Sequence, residues 1–174
     1  MALEDAGITR DEIDFVIFAT LSPEAWFPGS GCFLQAKMGL GTIGILDVRQ
    51  QCTGFVYALS IADLFVRAGK YKHIAVIGAE VQSTSLDFSD EGRTVGVLFG
   101  DGAGAAIVSA SDLEGGILST HLHAEGKYAK ELWVPEPSSV HNPKVTDVKN
   151  LHCYMNGREV FKNAVTRFPE VIRE

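Results

Sequence analysis

The chain has 174 residues, of which 46% are hydrophobic, so it can bury a core and is most simply one domain or part of one. Its net charge of -7 argues against a general nucleic-acid binder, which would carry an excess of Lys and Arg. No apolar run is long enough to span a bilayer, and the first residues, MALEDAGITRDEID, are acidic where a signal peptide would be basic. We therefore expect a cytoplasmic protein that binds neither nucleic acid nor a membrane.

Strand-like and helical patterns alternate in the first half of the chain. Three β-branched runs predict strands at FVIFAT (15–20), TIGILDV (42–48) and HIAVIGAEV (73–81). A helix is predicted over 30–39, with Ser30 as its N-cap and Gly39 as its stop, and a second helix from about Thr53 to Ala68, closed by Gly69. This order predicts right-handed crossovers and a largely parallel sheet.

The second half of the chain is less regular. Two apolar runs, VGVLFG (95–100) and AGAAIVSA (103–110), follow each other without a helix and predict antiparallel strands added to the sheet. Residues 126–150 contain three prolines and predict a loop, and NGREVFKNAVTRF (156–168) predicts a final helix.

Three cysteines, Cys32, Cys52 and Cys153, form no CxxC pair, which argues against a disulfide framework and a zinc site. Cys52 lies between a predicted strand and the N-terminal end of a helix, where unpaired N–H groups and the helix dipole favour an anion such as a thiolate. A small buried side chain at this turn explains Cys52 equally well. For Cys32 and Cys153 the patterns favour packing.

The helix after Cys52 has a narrow polar stripe. The polar side chains are three or four residues apart, and the rest of the surface is apolar, which predicts a helix packed on nearly all sides. The stripe consists of Ser60, Asp63, Arg67 and Lys70.

Glycines alternate in LFGDGAGAA (98–106), at Gly100, Gly102 and Gly104. The following AAIVSA has a strand pattern, so a dinucleotide-binding fingerprint, which needs a helix there, is excluded. The pattern favours close packing of a turn in the core over direct contact with a ligand.

Positive charge is concentrated near the end of the chain. Residues 141–174 hold 6 Lys and Arg against 4 Asp and Glu, whereas residues 1–140 hold 9 against 18. Arg158 and Lys162 are four residues apart and share a helix face, near Lys144, Lys149 and Arg167. This face is either a docking surface for an acidic partner or an ordinary solvated surface.

Four segments together resemble β-ketoacyl-[acyl-carrier-protein] synthase III, of the thiolase-like superfamily. They are DVRQQCTGFVYALSIADLFVRAG (47–69), VLFGDGAGAA (97–106), STHLHAEGKY (119–128) and YMNGREVFKNAV (154–165). The resemblance implies the first half of an αβαβα sandwich, an α/β fold with a mixed, largely parallel sheet. The resemblance runs from Leu3 to the C-terminus. It implies that residues 1–174 form a partial thiolase-like N-terminal half: sheet and crossover helices to about 125, a loop at 126–150, and a linking helix with a tunnel mouth at 151–174.

The resemblance also implies an acyltransferase mechanism. Cys52 takes an acyl group from acyl-CoA and condenses it with malonyl-acyl-carrier protein, the initiation step of fatty acid synthesis, with no cofactor and no metal. A low-pKa thiolate suits both the attack and the later departure of the acyl group. Rival interpretations are another thiolase-like enzyme, for a polyketide starter or a head-to-head acyl condensation, and a non-catalytic thiolase-fold subunit.

Further positions are implied residue by residue. Phe27 matches a residue that reaches across a homodimer to form the floor of the partner's acyl pocket, although it could equally be a loop anchor. Arg93 matches an arginine beside the CoA nucleotide, but DEGRT departs from the usual Asp-Arg-x-Thr. Positions at the pocket wall and the pantetheine tunnel mouth are matched by Phe99, Met155, Gly157 and Phe161.

The family also uses a histidine and an asparagine in the second half of its fold, beyond this sequence. We therefore expect the chain to be a piece of a synthase, inactive without that remaining half. His121 and His123 are expected to alternate in a strand, and solvated positions are expected for His73, His141 and His152.

Overall fold

The computed structural model describes residues 1–112, 115–139 and 147–174. The chain divides into two compact units. The first unit consists of Met1–Val81 and Asp101–Thr120, and the second unit of Gln82–Gly100 and His121–Glu174. Among the described residues, no helix combines the length and the apolar character that crossing a membrane requires.

The first unit contains a four-stranded sheet in the order β2-β1-β3-β4. Strands β1, β2 and β3 run parallel, and β4 pairs antiparallel with β3, which confirms the predicted mixed, largely parallel sheet. Its elements are α1 (Ala2–Ala6), β1 (Phe15–Ala19), α2 (Ser30–Met38), β2 (Gly44–Val48), α3 (Gly54–Arg67), β3 (His73–Glu80) and β4 (Gly102–Ser109).

Strand β1 is buried along its whole length, as expected for a parallel strand covered on both faces. On one face Ile17 and Val76 pack against Ala58 and Ala62 of α3. On the other face Val16 and its neighbours pack against Leu34 and Met38 of α2. The core of this unit therefore lies on both sides of β1 and β3.

Helix α3 begins one residue later than predicted, after a 3-10 turn at Gln51–Thr53. Its fully buried residues are small, Ala58 and Ala62, so the helix lies close to the sheet. The expectation that it packs on nearly all sides is wrong for the described residues, because Val56 is 47% and Leu64 is 63% exposed.

Glycines end both long helices of this unit as predicted, since Gly39 and Gly69 adopt left-handed φ values of 63° and 67°. The predicted N-cap of α2 is wrong. Gly29 occupies the cap position, and the Asp47 carboxylate accepts a hydrogen bond from the backbone N–H of Gly31 at 3.0 Å. A carboxylate from β2 thus replaces the cap that Ser30 was expected to supply.

The second unit contains α4 (Arg93–Gly96), a two-stranded sheet of β5 (Leu132–Trp133) and β6 (Tyr154–Met155), and α5 (Gly157–Arg173). Short 3-10 turns lie at Ser83–Ser85, Gly126–Tyr128 and Val148–Leu151, so the described part of 126–150 includes short regular elements. Residues 140–146, with His141 and Lys144, lie outside the described residues.

Two predicted strands are absent from the described part of this unit. In residues 95–100 the hydrogen bonds are local, such as Leu98 N–H to the Val95 carbonyl at 2.9 Å, so α4 and a turn form instead. His121 and His123 lie outside any strand, and their rings approach the Glu174 carboxylate at 3.7 and 2.8 Å.

Helix α5 confirms the predicted final helix and extends it to Arg173. Arg167 joins the helix to the preceding segment through an ion pair with Glu125 at 3.0 Å, and it also pairs with Glu170 within the helix at 2.8 Å. Hydrogen bonds from Lys127 and Arg167 hold the pKa of the Glu125 carboxyl below its ordinary value. One side of α5 presents exposed apolar side chains: Phe161, Val165, Phe168 and Ile172.

Candidate active site

Cys52 lies in the 3-10 turn that connects β2 to α3. The preceding residue, Gln51, has φ of 43°, a left-handed conformation that non-glycine residues rarely adopt. Thr53 closes the turn, because both its backbone N–H and its hydroxyl donate to the Gln50 carbonyl, at 3.2 and 3.0 Å. The turn thus holds an exposed thiol immediately before the first turn of a helix.

A cavity of about 240 Å³ opens beside Cys52. The carboxyl-terminal ends of β1 and β3 and the start of β4 form its walls, which places the thiol at the edge of the sheet where parallel strands end. The lining residues are Ala19, Gln51, Cys52, Phe55, Gly78, Ala79, Glu80, Gly102, Ala103 and Gly104.

The glycines that line this cavity, Gly78, Gly102 and Gly104, are not all closely packed. A Cβ at Gly78 would lie 3.2 Å from the Phe55 ring, so Gly78 allows α3 to approach β3 closely. In contrast, a Cβ at Gly100, Gly102 or Gly104 would meet no described atom within 4 Å. The expectation of a tightly packed glycine turn is therefore wrong in the described part of the chain. Gly102 and Gly104 instead line the cavity without placing a side chain in it.

Glu80 also lines this cavity, and no sequence pattern indicated it beyond its position at the end of a strand. Its carboxylate accepts hydrogen bonds from the Leu21 backbone N–H at 3.1 Å and from the Ser22 hydroxyl at 2.7 Å. Because these partners are 58 and 59 residues away, local patterns could not reveal the contact.

Phe27 lies in the segment 20–29 between β1 and α2, and its side chain is 86% exposed. The neighbouring Trp26 is 68% exposed. Phe27 therefore has little packing of its own in this chain, which leaves the side chain open to contact with another molecule or subunit.

The remaining predicted binding residues lie in the second unit. Arg93 is the first residue of α4 and is exposed, and Phe99 is half-buried. Met155 ends β6, and its Cε would lie 3.6 Å from a Cβ at Gly157, the first residue of α5. Phe161 follows one helical turn later and is 69% exposed. The three predicted tunnel-mouth residues thus lie at the end of β6 and in the first turns of α5.

Arg158 and Lys162 are both exposed on α5, as the predicted docking face requires. Lys162 lies 3.8 Å from the Glu159 carboxylate, a solvated pair that contributes little to stability. The predicted face is therefore accessible to an anionic partner.

The other cysteines and His73 differ from expectation. Cys32 is exposed and Cys153 is half-buried, so the preference for a packed Cys32 is wrong in this chain. His73 is half-buried and its Nδ1 lies 2.8 Å from the Ser109 hydroxyl, so it is not simply solvated. Within the described residues no group of three His, Cys, Asp or Glu side chains is arranged to hold a metal ion.

Comparison with known proteins gives consistent matches. Residues 46–126 match the family 3-oxoacyl-[acyl-carrier-protein] synthase III. The β-ketoacyl-[acyl-carrier-protein] synthase III of Xanthomonas axonopodis pv. citri is 47% identical over 173 residues, which are 99% of this chain and 52% of the relative. The chain thus spans about half the length of the curated relatives it matches.

Solved structures that resemble this chain belong to enzymes of the same kind. The 3-oxoacyl-(acyl carrier protein) synthase III of Pseudomonas aeruginosa PAO1 has a TM-score of 0.84 at 30% identity, covering 99% of this chain and 50% of that one. The priming β-ketosynthase of the R1128 polyketide biosynthetic pathway has a TM-score of 0.78 at 31% identity, covering 95% of this chain and 48% of that one. The chain is therefore related to the β-ketoacyl-[acyl-carrier-protein] synthase III family and corresponds to the N-terminal half of its α/β thiolase-like fold.

Proposed function

We propose that Cys52 is the nucleophile of an acyltransferase that takes an acyl group from acyl-CoA and condenses it with malonyl-acyl-carrier protein. The observation that carries this proposal is the position of the thiol: exposed, in a strained turn before a helix, and beside a cavity at the carboxyl ends of the strands. The similarity to synthases of this name supports the choice of substrates.

The chemistry follows from this placement. The thiolate attacks the thioester carbonyl of acyl-CoA, forms a new thioester on Cys52, and releases CoA. Backbone N–H groups at the start of α3 can stabilise the negative charge that develops on the carbonyl oxygen. Loss of CO₂ from the malonyl group then supplies the carbanion that attacks the Cys52 thioester, and the thiolate departs.

The other site residues have roles implied by the family. Phe27 forms the floor of the acyl pocket in a second copy of the protein, and Phe99 forms part of the pocket wall. Arg93 lies along the CoA nucleotide. The pantetheine arm passes Met155, Gly157 and Phe161, and the carrier protein docks on Arg158 and Lys162. A histidine and an asparagine from the remaining half of the fold polarise the malonyl thioester.

The test is acylation of Cys52 in the protein that contains this sequence. After incubation with acetyl-CoA, mass spectrometry should find one acyl group, on the peptide that carries Cys52. Cys52→Ser should lower the acylation rate by at least about 10³-fold, because the nucleophile is lost, whereas Cys32→Ser, a second exposed thiol, should acylate normally. An acyl group on Cys32, or equal acylation of Cys52→Ser, would reject the proposal.

A second candidate is a priming ketosynthase of polyketide synthesis, which the R1128 similarity favours. It would use the same Cys52 acyl-enzyme and a different acceptor. Supplying the acylated protein with malonyl groups on either a fatty-acid or a polyketide carrier protein separates the two, because the faster condensation identifies the acceptor.

A further inference from the structure

We propose that Glu80 is a positioning residue. By holding the base of the Phe27 loop, it sets the acyl-chain selectivity of the Cys52 site to which Phe27 contributes, that of a second copy of the protein. This loop comprises residues 20–29, between β1 and α2. The inference rests on the proposed function, because it concerns which acyl group the site accepts.

Glu80 binds the start of the Phe27 loop through several donors. The Leu21 backbone N–H lies 3.1 and 3.3 Å from its two carboxylate oxygens, and the Ser22 hydroxyl donates at 2.7 Å. The Thr20 hydroxyl lies 3.5 Å away, at the limit for a hydrogen bond. The Ser22 hydroxyl in turn accepts from the Val81 backbone N–H at 2.8 Å. The loop is thus fastened to the end of β3 by both side-chain and backbone groups.

These contacts require a carboxylate of this length. An ionised carboxylate accepts at both oxygens, whereas a glutamine has one accepting oxygen and an NH₂ group that faces the same donors. Aspartate keeps both acceptors but is one methylene shorter. Hydrogen bonds to a charged acceptor are also stronger than neutral ones. Neither conservative substitution therefore reproduces the whole arrangement.

The position of Phe27 depends on the ends of the loop. Because its side chain is 86% exposed, Phe27 has little packing that could hold it in place. Glu80 holds the beginning of the loop, and the Asp47 carboxylate holds the first turn of α2, which directly follows the loop, through the Gly31 N–H at 3.0 Å. Movement at either end would therefore displace Phe27.

Glu80 also connects this loop to the Cys52 cavity. The cavity is lined by Glu80, by Ala19, which directly precedes the loop, and by Cys52 itself. One carboxylate therefore joins the wall beside the nucleophile to the loop that carries Phe27. If this connection is loosened, the set of acyl chains that the pocket accepts should change. The reactivity of the thiol should change less.

The experiment compares Glu80→Ala, Glu80→Gln and Glu80→Asp in the protein that contains this sequence. One readout is hydrogen–deuterium exchange of residues 20–27, where the loss of acceptors should speed exchange of the Leu21 amide by about 10-fold in Glu80→Ala. The other is the ratio of kcat/KM for acetyl-CoA to that for octanoyl-CoA. This ratio should change by about 5-fold or more in Glu80→Ala, and by less in Glu80→Gln.

The matched control is Asp63→Asn, which removes a carboxylate from the same unit, where it accepts hydrogen bonds from Arg67 at 2.8 Å. It should leave both readouts unchanged. General loss of stability lowers activity with all primers together, so a changed ratio reports on the pocket. If Glu80→Ala fails to fold, the test of the inference is made with Glu80→Gln, which keeps the length of the side chain.

The outcomes separate the two claims. If the wild type acylates Cys52 but the primer ratio is unchanged in Glu80→Ala and Glu80→Gln, the inference is wrong and the proposed function stands. Unchanged exchange at residues 20–27 also overturns the inference. If no acyl-CoA acylates the wild type, the proposed function fails, and the selectivity role of Glu80 fails with it.

Discussion

At the scale of single residues, the turn around Cys52 depends on the backbone of its neighbour. Gln51 adopts φ of 43°, which costs a residue with a Cβ of the order of 1–3 kcal/mol relative to an ordinary conformation. The rest of the turn maintains this conformation through the two hydrogen bonds from Thr53 to the Gln50 carbonyl. Strain beside a proposed nucleophile such as Cys52 is typical of functional turns, which must present a side chain in one direction.

A pair of substitutions at Gln51 tests this conformation. Gln51→Val should lower the free energy of unfolding by about 1–2 kcal/mol, because a β-branched side chain is poorly tolerated at positive φ. Gln51→Gly should change it by less than about 1 kcal/mol, because glycine removes the strain but also gains entropy in the unfolded chain. Urea unfolding measures both. If valine and glycine are equally stable here, Gln51 is not in the left-handed region.

At the scale of elements, α3 and β1 form the interior against which the site is built. Ile17 of β1 is fully buried against Ala58 and Ala62, whereas Leu64 on the outer side of α3 is 63% exposed. Because Ala58 and Ala62 are small, α3 can approach the sheet closely, and Cys52 at its start is carried to the ends of the strands. The stability of this contact therefore bears directly on the position of the thiol.

Truncation of buried and exposed side chains tests this packing. In the 174-residue polypeptide, Ile17→Ala should lower the free energy of unfolding by about 2–5 kcal/mol, because it leaves a cavity in the core. Leu64→Ala should cost less than about 1 kcal/mol. Denaturant titration followed by circular dichroism measures both values. A cost at Leu64 as large as that at Ile17 would mean that the outer face of α3 is covered.

Helix α5 presents both charge and apolar surface. Arg158 and Lys162 are exposed near its start, and Phe161, one of the predicted tunnel-mouth residues, lies between them in the sequence. An acidic carrier protein that delivers a pantetheine arm would need a cationic surface beside such an opening. The adjacency of these residues supports the proposed docking face over a merely solvated one.

Charge reversal on α5 tests this face. Arg158→Glu with Lys162→Glu should raise the apparent Kd for malonyl-acyl-carrier protein by about 10-fold or more at low salt, and acylation of Cys52 by acyl-CoA should persist. The effect should shrink as salt rises, since screening acts over roughly 8 Å at physiological ionic strength. Arg173→Glu, near the other end of α5, is the charge control. A double variant with wild-type affinity at low salt would place the docking site elsewhere.

At the scale of the whole molecule, the chain spans 52% of the length of its Xanthomonas relative. Large apolar side chains are exposed in both units, including Trp26 and Leu64 in the first and Phe168 and Ile172 in the second. An exposed apolar patch, such as the one along one side of α5, commonly marks an interface. The proposed site is therefore expected to need further polypeptide for the complete reaction.

A comparison of two polypeptides tests this expectation. The isolated 174-residue polypeptide should form no β-ketoacyl product from acetyl-CoA and malonyl-acyl-carrier protein, because the resemblance implies that decarboxylation needs a histidine and an asparagine from the remaining half of the fold. The same polypeptide supplemented with that half should form the product. Product formed by the 174 residues alone, measured by mass spectrometry, would contradict the prediction.

The sequence by itself determined the order of the main elements and the location of Cys52. Continuous apolar runs predicted β1, β2 and β3, and Gly39 and Gly69 correctly predicted where α2 and α3 end. These signals are local, because strand propensity and left-handed glycine stops act over a few residues. The joint between strand and helix could therefore be located from adjacent residues alone.

Only the tertiary structure decided what surrounds that joint. The hydrogen bond from Leu21 to Glu80 spans 59 residues, and the cap that Asp47 provides for α2 spans 16, so neither could be predicted from neighbouring positions. Residues 95–100 have a strand-like composition, but a strand needs a partner, and in the described residues their hydrogen bonds are local. Pairing and burial depend on which distant segments meet. For this physical reason, sequence patterns located the turn that holds Cys52 but not the distant residues that support it.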